Sequence, residues 1–196
     1  MPAVTVDRTR RVLEAAGGRP VVWVSSASVY DPRRERGLVG EEHPRAGQLN
    51  AYGRTKAQGE ALALAAGAVV LRPRAVYGPG DTTLLPRLLS RVRAGTLLLA
   101  GPDVRLSLTV VENLTRACLA AAAWAPGAYN IAAAHVAQVL ATAAGTEPAL
   151  SRYAVDQLAH PVVLDPARAR AQGWIPHRNL ADHLASVTAA RRGLSG

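Results

Sequence analysis

The sequence predicts an α/β domain built on a parallel sheet, and three observations carry that prediction. Two short runs, PVVWVSS and AVVLRP, are apolar on successive residues, as strands buried on both faces are. The segment between them, AYGRTKAQGEALALAAG, has the length of a helix and closes on a glycine stop at Gly67. Strand, helix and strand in that order form a βαβ unit, whose two strands lie parallel in one sheet.

The other elements follow in chain order. VTVDRTRRVLEAAGG places Val6, Val12, Leu13 and Ala16 at roughly helical spacing and ends in Gly17-Gly18, so it reads as an amphipathic helix. DPRRERGLVGEEHPRAGQLN is polar and rich in Pro and Gly, a surface loop. After the second strand, GPGDTTLLPRLLSRVRAG predicts a loop and an amphipathic helix, VRLSLTVV a strand, ENLTRACLAAAAWA a helix and AYNIA a further strand. Short helices are expected in HVAQVLATAAG, DPARARAQG and LADHLASVTAARR.

Composition narrows the function classes. The net charge of +9 invites a nucleic-acid partner, yet the arginines are spread along the whole chain, aromatics are 4%, and no nucleic-acid-binding signature is present. A coding bias towards arginine and alanine accounts for the charge more simply, so no nucleic-acid partner is expected. No charge-free apolar run reaches the roughly 18 to 20 residues of a membrane span, and the N-terminus lacks the order of a signal peptide, so no membrane association and a cytoplasmic location are expected. Cys118 is the only cysteine and reads as a small helix residue. His43, His135, His160, His177 and His183 show no metal-ligand spacing, and Trp23, Trp124 and Trp174 read as packing. Glu112 and Asn113 are candidates either for a helix cap or for positioning the substrate lobe.

The chemistry concentrates around Lys56, the one lysine among 23 basic residues. Tyr52 lies four residues before it and so shares its helical face. A tyrosine hydroxyl titrates near pH 10; bringing it to neutrality needs about 4 kcal/mol, which one ammonium at roughly 4 Å supplies at the effective dielectric of a partly buried site. A compact ammonium can also donate to a ribose while sitting under a phenol, which a planar guanidinium does less well. Ser25 and Ser26 stand at the carboxyl end of the preceding strand, where open parallel sheets take ligands, and a serine there can donate to a substrate oxygen. On their own, paired serines equally mark a strand-end turn.

VVWVSSASVY, NAYGRTKAQGE and VVLRPRAVYGPGD, in this order and spacing, resemble the extended short-chain dehydrogenase/reductase superfamily and its NAD-dependent epimerase/dehydratase family. TVDRTRRVLEAA, VVENLTRA, GAYNIA and DPARARAQGW are similar to flanking landmarks of that family, so the likeness spans nearly the whole chain. The resemblance implies a partial Rossmann-like, doubly wound parallel sheet with a small C-terminal substrate-binding lobe. Residues 1–80 would be the C-terminal half of the NAD(P)-binding domain, and 81–196 a mixed remainder with the last sheet strand and the lobe. It implies NAD or NADP as cofactor, a small-molecule substrate, and hydride transfer at a secondary alcohol or ketone; a homodimer is compatible with it. Tyr52 would be the general acid/base, Lys56 would lower its pKa and hold the nicotinamide ribose, and Ser26 would fix the substrate oxygen with Ser25 in support. Pro73 and Arg74 would flank the nicotinamide, and Tyr77 would lie in a loop towards the substrate.

Two departures qualify that implication. The Gly-x-x-Gly-x-x-Gly turn that receives the cofactor pyrophosphate has no match in the 196 residues, since GPGDTT follows the second strand. A misassigned start, a truncated gene or completion of the sheet by another chain would each explain this, the first two being favoured. Arg74-Ala75 stands where nucleotide-sugar members often carry Phe-Asn, which points to the 3β-hydroxysteroid dehydrogenase-like branch. A nucleotide-sugar epimerase or dehydratase is the alternative, and a non-catalytic remnant that binds a partner is the third reading.

Overall fold

The computed structural model describes residues 2–33, 37–82, 84, 92–93, 96–97, 104–133, 136–139, 162–180, 182–183 and 185–186. The elements in order are α1 (Pro2–Ala16), β1 (Val22–Val24), a 3-10 turn (Ala27–Val29), β2 (Leu38–Val39), α2 (Ala51–Ala65), β3 (Val69–Pro73), β4 (Val76–Tyr77), β5 (Val92–Arg93), β6 (Thr96–Leu97), β7 (Val104–Ser107) and β8 (Thr109–Val110). There follow α3 (Val111–Ala120), a second 3-10 turn (Ala121–Ala123), β9 (Gly127–Ile131), β10 (Val136–Val139), β11 (Val163–Leu164) and α4 (Ala167–Ala171).

The expected βαβ unit is the centre of the fold. β1, β3 and β9 form a parallel sheet in that order, with Trp23 opposite Val70 and Val70 opposite Ala128. Alternate residues of β3 serve opposite faces, as the strand period of two requires. Val69 and Leu71 join Tyr129, Ile131, Ala117, Ala169, Trp124 and Trp174 in the core under α3 and α4, while Val70 joins Ala63, Ala68 and Ala128 under α2. Val70, Leu71 and Ile131 are completely buried, each contributing about 1.5–3 kcal/mol relative to exposure. Helices therefore cover both faces, with α1 packed against α2.

α2 owes its limits to its ends. Asn50 caps the N-terminus, its side chain accepting from the Gly53 N–H at 3.0 Å. At the other end Gly67, at φ +74°, follows the last turn, and the Ala68 N–H donates to the Ala63 carbonyl, satisfying a helix-terminal acceptor. Close approach also matters: a Cβ at Gly53 would stand 2.7 Å from the Ser28 carbonyl, so glycine lets the first turn of α2 lie against the 3-10 turn after β1.

Two expected helices differ from the structure. The chain at Val136–Val139 is a strand, β10, pairing antiparallel with β7 from Val136 opposite Ser107 to Val139 opposite Val104. Alanine-rich periodicity pointed to a helix, but the backbone groups of β7 offered a ladder partner that local pattern does not reveal. The end of the helix expected in GPGDTTLLPRLLSRVRAG is β5, paired antiparallel with β6; most of that segment lies outside the described residues, as does ATAAG of the other. VRLSLTVV is two strands, β7 and β8, the latter parallel to β4. The C-terminal helix is present at the described Leu180, Asp182, His183, Ala185 and Ser186.

One backbone position carries strain. Ala75, between β3 and β4, has φ +46°, the left-handed region that costs a residue with a Cβ about 1–2 kcal/mol. Glycine escapes that cost but loses about 0.5–1 kcal/mol more chain entropy on folding. Ala75→Gly is accordingly expected to raise stability by about 0.5–1 kcal/mol and the thermal midpoint by about 2 °C, measured by calorimetry beside the unsubstituted chain.

Candidate active site

The site forms where β1 and β3 end and α2 begins. β1 continues its ladder one residue beyond Val24, the Ser25 N–H donating to the Leu71 carbonyl at 2.7 Å. Ser25 then turns its hydroxyl inward and donates to Glu60 Oε2 at 2.5 Å, out of contact with solvent. Ser26 is half-buried and extended (φ −162°, ψ 150°), and its Oγ caps the 3-10 turn by accepting from the Ser28 N–H. The two serines thus part: Ser25 supports from beneath, and Ser26 stays nearer the surface beside Ser28, whose Oγ is 3.1 Å away.

Tyr52 is 40% exposed on the first turn of α2. One turn later, Lys56 extends its ammonium to the end of β1, where Nζ donates to the Val24 carbonyl at 2.9 Å. The ammonium lies 5.0 Å from the Trp23 ring centre and 5.9 Å from that of Tyr52. Partial burial holds the Lys56 pKa below the ordinary lysine value, because desolvation disfavours the charged form. The single lysine and the tyrosine therefore share a face as expected, but the ammonium's hydrogen bond goes to a backbone carbonyl.

The remaining expected site residues are placed by β3 and β4. Pro73 and Arg74 are buried where β3 ends, and the Arg74 N–H donates to Thr109 Oγ1, which itself donates to the Ile131 carbonyl at 2.8 Å. Tyr77 is in the short strand β4 and not in a loop; it is 2% exposed, packed with Leu108 and Val110 and edge-on to His183 at 5.4 Å. Its ring faces a small core, because parallel pairing of β4 with β8 closes that position. Glu112 and Asn113 do not cap α3, whose cap position is Val110. Instead Asn113 accepts from the backbone N–H groups of His177 and Arg178 and donates to the Arg178 carbonyl, and Glu112 pairs with Arg178. Both hold the chain after α4 against α3.

Sequence reasoning missed the polar network beneath the site. Arg72 and Glu60, both essentially without exposure, pair at 2.6 Å, with Arg72 Nε within 3.2 Å of both carboxylate oxygens. Arg45 donates to the same carboxylate at 2.9 Å. Arg72 also donates to Tyr30 Oη and to the Glu41 carbonyl, Tyr30 donates to Asn130 Oδ1 at 2.6 Å, and Asn130 donates to the Val39 and Asp165 carbonyls. The available signal was an arginine in the apolar strand VVLRP and a glutamate four residues after Lys56; a charge in a buried strand requires a partner.

Two buried tyrosines give the fold an alkaline limit. Tyr30 is pushed up to about 12 chiefly by burial, against the opposing charge of Arg72. Tyr77 is likewise pushed up to about 12 by burial and then by the charges of Glu112 and Asp182. Unfolded tyrosine ionises near pH 10, so above that the unfolded chain releases protons the folded chain keeps, and stability falls as pH rises from about 10 through about 12. A thermal midpoint that drops between about pH 10 and 12, and drops less in Tyr77→Phe, is the expected result.

Among the described residues no three His, Cys, Asp or Glu side chains gather as a metal site, and no helix is long and apolar enough to cross a membrane. Cys118 packs against the core under α3, burial pushing its thiol up, and Trp124 and Trp174 lie in that core.

Residues 3–132 match the family described as NAD dependent epimerase/dehydratase. The chain is 36% identical over 135 residues to a 2-alkyl-3-oxoalkanoate reductase of Stenotrophomonas maltophilia, covering 64% of this chain and 41% of that protein. It is 31% identical over 128 residues to 3beta-hydroxysteroid-dehydrogenase/decarboxylase isoform 1 of Arabidopsis thaliana, covering 59% and 29% respectively. In both cases the chain spans less than half of its relative. Among solved structures, a short-chain dehydrogenase/reductase superfamily protein of Agrobacterium tumefaciens, with bound NAD, superposes with a TM-score of 0.72 at 24% identity, over 98% of this chain and 74% of that one. The Rossmann-like fold is thus shared with that short-chain dehydrogenase/reductase structure, and the chain belongs to the NAD dependent epimerase/dehydratase family.

Proposed function

We propose that this chain carries the catalytic half of an NAD(P)-dependent oxidoreductase that acts on a secondary alcohol or ketone, with Tyr52 as general acid/base. The observation that supports it is the seat of Lys56: an ammonium beside Tyr52, held at the carboxyl end of β1 by the Val24 carbonyl. That is the edge at which a parallel sheet takes a dinucleotide.

The residues present fit the nicotinamide-ribose end of such a cofactor. Lys56 keeps two N–H donors besides the one given to Val24 and would offer them to ribose hydroxyls. Pro73 and Arg74 end the neighbouring strand and would border the ring. The cofactor, when bound, supplies or accepts the hydride. Tyr52, exposed on the outer side, exchanges the matching proton with the substrate oxygen. Ser26 would donate to that oxygen and orient it, while Ser25, tied to Glu60, sets the backbone beneath.

An apolar ketone is the substrate class we favour. The two relatives are named for a 3-oxoalkanoate and a hydroxysteroid. Leu49, three residues before Tyr52, and Val24, which seats Lys56, both expose apolar surface. NAD is favoured by the bound NAD of the Agrobacterium neighbour.

Fluorescence titration of NADH and NADPH into the purified chain, with Lys56→Ala beside it, tests this reading. Saturable NADH binding weakened about tenfold or more by the substitution is expected, the scale of losing a hydrogen bond from a charged donor. Folded chain that binds neither nucleotide, or binds both regardless of Lys56, would overturn it.

A further inference from the structure

The ammonium of Lys56 is held by two consecutive residues of one strand. Val24 gives its carbonyl, and Trp23 gives its ring at 5.0 Å. An indole is the strongest aromatic partner for a cation, its face carrying negative potential. The ring, opposite Val70 in the sheet, also packs partly buried against the core of Ala63, Ala68, Val70 and Ala128. Space for it comes from α2. A Cβ at Gly59 would lie 2.8 Å from Trp23 Cζ2, so a glycine three residues beyond Lys56, on the same helical face, admits the far edge of the indole.

We infer that Trp23 is a positioning residue for Lys56: its ring, accommodated by Gly59, fixes the ammonium at the Val24 carbonyl and so fixes the direction of its remaining donors. Resting on the proposed function, this makes Trp23 a determinant of cofactor affinity without any contact to cofactor. The physical point is entropy. A lysine side chain has four rotatable bonds and loses much freedom when a ligand immobilises it. A ring that immobilises it beforehand removes that cost from binding.

The single lysine makes the test direct. Lysine labelled with carbon-13 at Cε gives one side-chain resonance, that of Lys56. Its Hε protons are expected upfield of their position in the denatured chain, because they sit over an aromatic face. Trp23→Leu should return them to the denatured-chain position while the amide spectrum keeps its native dispersion, and Trp23→Phe should leave them between. NADH affinity should fall about fivefold in Trp23→Leu, the scale of an exposed to partly desolvated cation–π contact, and recover part of the loss in Trp23→Phe. A ring that merely fills space beside Lys56 would shift the resonance on removal but leave NADH affinity unchanged in Trp23→Leu. That result overturns the inference, as does a denatured-like Lys56 resonance in the unsubstituted chain, which needs no variant to fold. NADH binding indifferent to Lys56→Ala, with the resonance shifted as expected, would instead count against the ribose reading while leaving Trp23 as the residue that seats Lys56.

Discussion

Glu60→Ala is expected to destabilise the protein by about 3–5 kcal/mol, the cost of stranding a buried charge. Arg72 has 2% exposure and directs three of its hydrogen-bond contacts at the Glu60 carboxylate, so the alanine variant leaves a guanidinium in the interior with only Tyr30 and the Glu41 carbonyl. Burial alone would lower the Arg72 pKa, yet hydrogen bonding to Glu60, the Tyr30 hydroxyl and the charge of Glu60 together outweigh it and hold Arg72 more firmly protonated than a free arginine. In the variant the support from Glu60 is gone, but a guanidinium does not give up its proton inside a protein, so the charge stays. For a chain of this length, 3–5 kcal/mol corresponds to about 10 °C or more in the thermal midpoint. Ser25 also loses its acceptor, so the strand end that carries the serines should loosen. Thermal unfolding of the variant reports the first effect; a midpoint within 2 °C of the parent would contradict the account of the network.

Tyr52→Phe should separate chemistry from stability. Phenylalanine keeps the ring and the helix, and the lost hydroxyl belongs to a residue that is 40% exposed, so the folding free energy should change by no more than about 0.5 kcal/mol. Turnover of an apolar ketone, followed by nicotinamide absorbance, should fall by about 10²–10⁴, the usual worth of a positioned proton donor. NADH affinity should persist, because Lys56 and its seat are untouched. Retained turnover would take Tyr52 out of the mechanism; loss of nucleotide binding would assign it a binding role.

The parts of this fold that were legible in the sequence are those whose cause is local. β1 and β3 announce themselves by unbroken apolar residues, and α2 by a cap, a helical run and Gly67. The Tyr52–Lys56 pair follows from a four-residue spacing alone. What stayed hidden depends on residues distant in sequence. β10 is a strand because β7 lies beside it, and no periodicity within HVAQV reports that. Tyr77 is enclosed because β8 pairs with its strand, whereas its own neighbourhood, VYGPG, reads as a loop. The Glu60–Arg72 pair was marked only by charges in apolar surroundings, and the seat of Lys56 on Trp23 and Val24 could not be seen before β1 was laid against α2.

Asn130 has a consequence for how the molecule opens. Its backbone N–H donates to Glu41, its amide to the Val39 and Asp165 carbonyls, and its Oδ1 receives the Tyr30 hydroxyl. One buried side chain thus fastens three stretches of chain that no helix or hairpin connects. Fraying of any one exposes the polar groups of the others, so they should come apart as a single cooperative unit. Slow amide exchange at Asn130 should therefore match the slowest exchange in β3, and the loop over the sheet, polar and glycine-rich as it is, should exchange its anchored amides on the timescale of global unfolding.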